Sequence, residues 1–189
     1  MNIEGLNIFP TPFWIIKDNI LPDNIDEWVE EYQKNNRCIR RTNRKGYQSE
    51  AKSDLDDMPD EYYQYLQDKL SFLPSFYFNN WWLNVNIKGS YNTLHTHPMV
   101  DLAVIWYLTD NHGLLELRDP MLHTRWLLYD KIEQFRTYRV YAKAGDIVIF
   151  PADILHEVEE HTLDTPRVCI SLNLKLNGKI GIPKTLTYT

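Results

Sequence analysis

Three histidines have the spacing from which a metal site could be built. His95 and His97 lie one residue apart at the end of a predicted strand, and His156 ends a later apolar stretch. Residues i and i+2 of a strand point to the same face, so both imidazoles of the pair can approach one ion at about 2.0–2.2 Å. Imidazole suits iron, zinc, copper and nickel. The three residues therefore predict a metal centre formed by two strands.

The other three histidines give weaker signals. His112 falls in a predicted turn and His161 in a predicted polar loop, so we expect both to be exposed and without a role. His123 lies in a predicted loop, and the pattern leaves its role open. We therefore restrict the candidate ligands to the first three histidines.

The chain around these histidines has the pattern of a β-protein. From residue 75 onward β-forming residues alternate with period two, and turn signals occur at residues 111–113 and 144–146. Many short strands separated by turn residues indicate a sandwich or a barrel. The predicted strands cover residues 76–87, 92–97, 102–109, 113–118, 124–129, 137–142, 146–150, 154–160 and 167–176.

Two amphipathic helices are predicted ahead of these strands. The first lies within residues 21–36, where Pro22 gives a start signal, and the second lies within residues 56–73, where Pro59 suits the first turn. Apolar residues at helical spacing are Ile25, Trp28, Val29 and Tyr32 in the first helix and Tyr62, Leu66 and Leu70 in the second. We expect these helices to cover one face of the sheet.

A short edge strand and several tryptophans complete the predicted core. Residues 6–16 are apolar but contain Pro10 and Pro12. Because proline is confined to strand edges or turns, we expect an edge strand that packs Phe13 and Trp14 inward. Core packing is also the expected role of Trp81, Trp82, Trp106 and Trp126.

Residues 37–53 form a basic, polar segment. We interpret it as a solvated loop, because runs of charge usually face water. One alternative is contact with an anionic substrate, for which the candidates are Arg37, Arg40, Arg41, Arg44 and Lys45. In another alternative, Tyr47 and Gln48 line a pocket. Asn84 and Asn86 share one face of a predicted strand, and that face points either to solvent or to a pocket.

Composition excludes several classes of protein. The chain has 189 residues, 43% of them hydrophobic, which suits one globular domain with a core. A net charge of −6 argues against a protein that coats nucleic acid. Cys38 and Cys169 have no partner motif, so a reducing cytoplasm is the expected location. We find neither a secretory signal nor an apolar stretch of about 20 residues, so we expect no membrane span.

From Trp81 to Asn173 the sequence resembles the iron(II)- and 2-oxoglutarate-dependent oxygenases, most of all small members from marine bacteria and their phages. The segments that carry the resemblance are GSYNTLHTH (89–97), VIWYL (104–108) with Asp119-Pro120 after it, and GDIVIFP (145–151) leading to His156, Arg167 and Ser171. The resemblance implies a mainly β fold, a double-stranded β-helix (jelly roll, cupin-like) with two N-terminal helices. We expect a single domain over residues 1–189, with an N-terminal region (1–74), a jelly-roll core (75–176) and a tail (177–189).

The resemblance also implies a metal site. His95 matches the first metal ligand of the family, and His156 matches the distal one. His97 stands where most of the superfamily has aspartate, so three neutral imidazoles replace two histidines and a carboxylate. Asp101 is an alternative source of a carboxylate if its loop folds back, although its spacing departs from the family pattern.

Binding of 2-oxoglutarate is implied at a second group of residues. Arg167 matches the cation that binds the far carboxylate, which a guanidinium can hold through two bonds. Ser171 matches the hydroxyl that assists it, and the two residues share a strand face because they are four apart. Tyr91 and Tyr107 are implied to line the cofactor pocket, and residues 46–49 resemble a segment near it.

The implied activity is that of a dioxygenase with Fe(II), 2-oxoglutarate and O₂ as cofactors. It would hydroxylate an unidentified small-molecule or peptide substrate while 2-oxoglutarate is decarboxylated to succinate. We expect no membrane or nucleic-acid partner, leave a homodimer open, and place the protein in the cytoplasm of a bacterium or a phage-infected host. The alternatives are a three-histidine cupin-type dioxygenase without 2-oxoglutarate and a non-enzymatic β-sandwich with a binding or structural role.

Overall fold

Two antiparallel sheets face each other, and two helices cover one of them. The computed structural model describes residues 11–53, 57–121 and 136–178. In chain order the strands are β1 (Trp14–Ile16), β2 (Asn43–Arg44), β3 (Tyr47–Gln48), β4 (Lys52–Ser53), β5 (Phe76–Asn86), β6 (Tyr91–His95), β7 (Leu102–Tyr107), β8 (Leu115–Arg118), β9 (Thr137–Val140), β10 (Ile147–Pro151), β11 (His156–Val158) and β12 (Arg167–Leu176). The helices are α1 (Ile25–Asn35) and α2 (Asp60–Lys69).

The strand order alternates between early and late parts of the chain. Within the described residues, the first sheet has seven strands in the order β1, β10, β7, β12, β5 and β3, with β4 also paired to β5. The second sheet has five strands in the order β2, β6, β11, β8 and β9. β1 is an edge strand, as predicted. The prediction of a mainly β fold with two N-terminal helices is confirmed.

The strand β7 of the first sheet is buried on both faces, which explains its continuous apolar run. Every residue of β7 is buried. Val104 and Trp106 pack into the cluster that includes the helices, whereas Ile105 and Tyr107 belong to the cluster between the sheets. In β12, Leu172 packs into the cluster that includes the helices. The alternate residues of these strands therefore form one wall of the space between the sheets.

Both helices lie where the sequence predicts them. α1 buries Ile25, Val29 and Tyr32, and α2 buries Tyr62 and Leu66. Each large apolar side chain that is fully buried contributes about 1.5–3 kcal/mol, so the helices stabilise the sheet against which they pack. No helix in the described part of the chain has the length and apolar character to cross a membrane.

The basic segment 37–53 differs from the solvated loop that was predicted. It contains β2, which pairs with β6 of the second sheet, and β3 and β4, which pair with β5 of the first. Asn43 is buried, and its amide is satisfied because it donates to the carbonyl oxygens of Ile39 and Gly46, at 3.1 and 3.0 Å. A polar side chain here satisfies the backbone of a turn, and composition does not distinguish this role from solvation.

The histidines outside the predicted metal centre have different surroundings. His112 is exposed, as predicted. The prediction of an exposed His161 was wrong, because this residue is 2% exposed and its Nε2 donates to the carbonyl oxygen of Thr165 at 2.6 Å. The polar residues beside His161 in the sequence suggested an exposed loop, but this hydrogen bond within the loop accompanies a buried side chain. Outside the described residues lie His123, Trp126, the predicted strand 124–129 and residues 179–189 of the tail.

Candidate functional site

The three predicted metal ligands converge between the two sheets. His95 ends β6 and His156 begins β11, and the two residues are direct partners across this antiparallel pair. His97 follows β6 by two residues, where its backbone N–H donates to the carbonyl oxygen of Ala152 at 2.8 Å. One ligand atom from each imidazole lies within 4.8 Å of the other two. This spacing allows all three imidazoles to bind one ion.

Backbone carbonyl groups orient two of the imidazoles. Nδ1 of His95 lies 2.7 Å from the carbonyl oxygen of Thr93, and Nδ1 of His156 lies 2.8 Å from that of Ile154. A carbonyl oxygen can only accept, so Nδ1 carries the proton in both rings. Each Nε2 keeps its lone pair, which is the form in which imidazole binds a metal.

Side chains orient the third imidazole. Nδ1 of His97 lies 2.6 Å from Oδ1 of Asn173, so this ring also directs its proton away from the cluster. The indole of Trp82 lies beside the ring, with 5.5 Å between the ring centroids. His97 is thus held by residues of the first sheet, although it follows a strand of the second.

Burial keeps the three imidazoles neutral. It lowers the pKa of His95, the pKa of His97 to about 4 and the pKa of His156 to about 3. The nearby imidazole of His95 lowers the pKa of the other two further. Near neutral pH the cluster therefore offers its lone pairs to a cation without first releasing protons.

No carboxylate joins this group within the described residues. Asp101, the alternative ligand, is exposed, and its Oδ2 accepts a hydrogen bond from the backbone N–H of Leu176 at 2.8 Å. The structure does not bring Asp101 to the histidines. The donor set is three neutral nitrogens, which suits the divalent metals that imidazole binds.

A cavity extends from the histidines to Arg167. Its lining comes from both sheets and consists of Thr42, Trp82, Asn84, Asn92, His95, His97, Ile105, Leu115, His156, Val158, Arg167, Cys169 and Ser171. Arg167 is only 2% exposed. Its Nε donates to Oδ1 of Asn111 at 2.8 Å, and its Nη1 donates to Oδ1 of Asn86 at 3.2 Å. Among the residues that the structure describes, Arg167 forms no ion pair.

The surroundings of Arg167 suit an anion. A buried charge is costly unless an opposite charge joins it, and amide oxygens alone supply only partial charge. The Tyr107 ring lies 5.3 Å from Cζ of Arg167. Burial raises the pKa of Tyr107, while Arg167 acts in the opposite direction. Ser171 places a hydroxyl in the same cavity, and its Oγ accepts a hydrogen bond from Nδ2 of Asn84 at 2.9 Å.

Two tyrosines implied for the cofactor pocket lie in different places. Tyr107 is buried next to Arg167. Tyr91 is 37% exposed and is not among the residues that line the cavity. Its neighbour Asn92 lines the cavity instead, because successive residues of a strand face opposite sides. The structure therefore does not bring Tyr91 to the site.

Several residues of the cavity were not predicted. Trp82, expected in the core, lines the cavity, and Thr42 lines it in place of Tyr47 and Gln48. Asn173, which contacts His97 but is not among the lining residues, could have been found, because Arg167, Cys169, Ser171 and Asn173 continue one alternation along an apolar strand. Thr42 gives no signal in the sequence, since it occurs among charged residues typical of a loop.

Comparison with known proteins identifies one family. A family model described as "Putative 2OG-Fe(II) oxygenase" matches residues 80–173, about half of the chain. The matched range contains the three clustered histidines, Arg167 and Ser171. No curated protein matches the sequence.

Solved structures share the fold at low sequence identity. HygX from Streptomyces hygroscopicus, with nickel and 2-oxoglutarate bound, has a TM-score of 0.62 and 13% identity over 88% of this chain and 84% of that chain. A prolyl-4-hydroxylase from Pseudomonas putida has a TM-score of 0.58 and 13% identity over 89% of this chain and 94% of that chain. The epimerase SnoN from nogalamycin biosynthesis has a TM-score of 0.60 and 12% identity over 88% and 78%. The fold is the double-stranded β-helix that the sequence predicted.

Proposed function

This chain belongs to the 2OG-Fe(II) oxygenase family through residues 80–173, and we propose that His95, His97 and His156 hold its Fe(II) while Arg167 holds 2-oxoglutarate. The observation that carries this proposal is the presence of two complementary groups in one cavity. Three neutral imidazoles stand at one end. A buried guanidinium, without a carboxylate partner in the described residues, stands at the other. Fe(II) is a cation and 2-oxoglutarate is a dianion that binds it, so the two ligands together match the two ends of the cavity.

The histidine group suits Fe(II) in its donor atoms. The three imidazoles would hold the metal and would leave ligand positions for a chelating 2-oxo acid and for O₂. HygX has been solved with iron bound and also with nickel and 2-oxoglutarate bound. Because the imidazoles are neutral, they leave the full charge of a divalent cation available to the carboxylate of a 2-oxo acid.

Arg167 and Ser171 are proposed to bind the far carboxylate of 2-oxoglutarate. Asn111 and Asn86 hold the guanidinium in place through its Nε and Nη1, and its planar fork favours a carboxylate. Because Ser171 accepts from Asn84, its own hydroxyl proton is left to donate. The two residues lie on one face of β12, so they can contact the same group.

The chemistry that bound Fe(II) supplies in this family is oxidative: 2-oxoglutarate and O₂ become succinate and CO₂ while a C–H bond of the substrate is hydroxylated. The residues of this chain bind and orient the reactants. The cavity walls include the apolar side chains of Ile105, Leu115 and Val158, which would limit the access of water to bound reactants.

Metal uptake and succinate release test the proposal together. We expect the wild type to bind one Fe(II) per chain in an anaerobic titration and to release succinate when 2-oxoglutarate and O₂ are supplied. His95→Ala should lose both properties, whereas the exposed control His112→Ala should keep both. Equal and negligible Fe(II) uptake by wild type and His95→Ala would contradict the proposal.

A three-histidine dioxygenase that needs no 2-oxoglutarate is the second candidate. It is favoured by the lack of a carboxylate in the metal group within the described residues. Succinate formed in proportion to O₂ consumed would eliminate it, and O₂ consumption without succinate would support it. Membership of an oxygenase family speaks against the third hypothesis, a non-enzymatic β-sandwich.

The substrate is proposed to be a small molecule or a peptide. HygX has been solved with hygromycin B bound, which shows that a protein of this fold accepts a small molecule. A homodimer, the single domain over residues 1–189, and the cytoplasm of a bacterium or a phage-infected host stay predictions.

A further inference from the structure

The three imidazoles differ in what orients them. His95 and His156 each donate to a backbone carbonyl group two residues earlier in the chain. His97 instead donates to the side chain of Asn173, which is 76 residues away. A local backbone acceptor is present whatever the neighbouring side chains are. The orientation of His97 therefore depends on one side chain.

A second asparagine holds that side chain. Nδ2 of Asn173 donates to Oδ1 of Asn80 at 2.7 Å, which turns Oδ1 of Asn173 toward His97. Asn80 and Asn173 are direct partners between β5 and β12, and the register shifts directly after them, where Leu174 pairs with Phe78. β5 thus has one extra residue at this point, and such bulges redirect side chains beside functional sites.

We propose that Asn173, held by Asn80, is a positioning residue that makes His97 a metal ligand. This inference rests on the proposed function, because it assigns Asn173 to the Fe(II) site. By accepting the Nδ1 proton, Asn173 fixes the tautomer in which Nε2 of His97 faces His95 and His156. Loss of such a partner lowers metal affinity by about 10- to 100-fold.

Variants of Asn173 test this role. Asn173→Leu should lower Fe(II) affinity by about 10- to 100-fold in an anaerobic titration. Asn173→Asp, which keeps an acceptor, should restore it, and Asn80→Ala should have a smaller effect in the same direction. Asn177→Ala is the control, since Asn177 is exposed and directly follows the same strand. Thermal denaturation shows which variants are folded.

A second measurement separates this role from the proposed function. Ring ¹⁵N shifts of the metal-free protein should show a proton on Nδ1 of His97 in the wild type and a mixture of tautomers in Asn173→Leu. An unchanged tautomer together with wild-type Fe(II) affinity in folded Asn173→Leu would overturn the positioning role alone. Lack of Fe(II) binding by the wild type would overturn the proposed function as well.

An independent observation concerns the charge beside the cavity. Arg40, Arg41 and Lys45 are exposed and Arg44 is partly exposed. None of the four forms an ion pair within the described residues, whereas Arg37 of the same segment pairs with Glu50 at 3.1 Å. In a chain with a net charge of −6, this group of unpaired cations is unusual.

These cations adjoin the cavity wall. Thr42, which follows Arg41 directly, lines the cavity, and its carbonyl oxygen accepts from the backbone N–H of Thr93 at 3.0 Å. β2 runs antiparallel to β6. Arg40 and Arg41 precede β2, so they lie toward the end of β6 that carries His95.

We infer that the substrate is a small molecule with an anionic group, a carboxylate or a phosphate, that contacts Arg40 and Arg41. This inference also rests on the proposed function. Its reacting part would enter the cavity past Trp82, which stands beside His97. The net negative charge of the whole chain opposes a long polyanion such as nucleic acid, and it leaves a single anionic group as the matching ligand.

Binding of pyrophosphate to the metal-free protein tests the cationic segment without requiring catalysis. We expect amide shifts at residues 40–45 that weaken with salt, and an affinity about three- to tenfold lower in Arg40→Gln/Arg41→Gln. Arg37→Gln, whose arginine is already paired, is the matched control. Absence of shifts at residues 40–45, or equal affinity in the double variant, would overturn the inference.

A turnover assay then identifies the anionic group. Matched neutral, carboxylated and phosphorylated compounds should stimulate succinate release to different degrees, with the anionic members favoured. The double variant should raise KM for those members, whereas the control Arg37→Gln should leave both KM and the uncoupled, substrate-free turnover unchanged. Preference for the neutral members would overturn the inference, and lack of any succinate would instead contradict the proposed function.

Discussion

The two ends of the cavity are both buried, yet they have different charge states. At the histidine end, burial lowers the pKa of all three imidazoles, so the group is neutral and presents lone pairs. At the other end, Arg167 stays charged although it is buried, because guanidinium does not deprotonate in proteins. The same low-dielectric space thus produces a site for a cation and a site for an anion. The ordinary pKa of each group decides whether it stays charged when buried: that of imidazole is low enough for the proton to be lost, and that of guanidinium is not.

Removal of one imidazole should have the largest effect and should affect only the histidine end. We expect His156→Ala to lower Fe(II) affinity by more than about 100-fold, because loss of an outer hydrogen-bond partner alone costs about 10- to 100-fold. Anaerobic calorimetry measures this. His112→Ala provides the comparison for a histidine in solvent. An affinity of His156→Ala within tenfold of the wild type would show that two imidazoles suffice.

Replacement of Arg167 should affect only the opposite end. Truncating a buried charged partner costs about 2–5 kcal/mol, so we expect Arg167→Met to lower 2-oxoglutarate affinity by about 30-fold or more. Fe(II) affinity should stay within about threefold of the wild type. In the metal-free variant, removal of an unpaired buried charge stabilises the fold, whereas Asn111 and Asn86 lose their donor, so the net change in stability should be small.

Titration of 2-oxoglutarate into the metal-loaded, anaerobic protein checks this result. Arg167→Lys is the matched variant, since it keeps the charge and loses the planar fork, and it should recover only part of the affinity. Equal loss of Fe(II) and 2-oxoglutarate binding in Arg167→Met would mean that the two ends are not independent.

The two ends also differ in how far the sequence predicts them. His95 and His97 share a predicted strand end, so strand geometry predicts their convergence, although β6 ends at His95. His156 joins His95 through pairing of β6 with β11. Arg167 could be placed between the sheets because alternate residues of β12 are apolar. The position of its partner Asn111 beside it could not be predicted, because the residues around Asn111 indicate only a turn.

The contacts of residues 37–53 with other strands could not be predicted from the sequence. The composition of this segment is that of a solvated loop, and its charged side chains do face water. Yet Thr42 binds β6 of the second sheet through a backbone hydrogen bond, and Asn43 closes the turn itself. Such contacts join residues about 50 positions apart in the chain, as between Thr42 and Asn92. No local pattern encodes them.

Acid should weaken the metal-free fold through the histidine end of the cavity and not through Arg167. The pKa of His97 is about 4 and that of His156 about 3 in the folded protein, compared with the ordinary 6.5. Between pH 6.5 and about 4 the unfolded chain therefore binds protons that the folded cluster does not. The free energy of unfolding should fall as pH falls, by up to about 1.4 kcal/mol per pH unit for each histidine. Above pH 6.5 this effect should vanish.

Urea denaturation in the presence of a chelator, at several pH values from 7.5 to 5, measures this slope. His97→Gln should reduce it, because one titrating group is lost. Arg167→Met should leave it unchanged, because Arg167 keeps its proton in both states. The same slope in His97→Gln and in the wild type would contradict the assignment of the acid effect to the histidine end.

Ser171 should give the smallest effect, and it tests whether the anion end consists of more than Arg167. A hydrogen bond contributes about 0.5–1.5 kcal/mol, so Ser171→Ala should lower 2-oxoglutarate affinity about two- to tenfold and leave Fe(II) binding intact. The variant also leaves the Asn84 amide without its acceptor, so stability should fall slightly. Asn84→Leu removes the amide and keeps the hydroxyl, which separates the two roles. Ser171→Ala could lose stability while its affinity for 2-oxoglutarate is unchanged. That result would mean that the hydroxyl stabilises the sheet and that Arg167 binds the carboxylate without it.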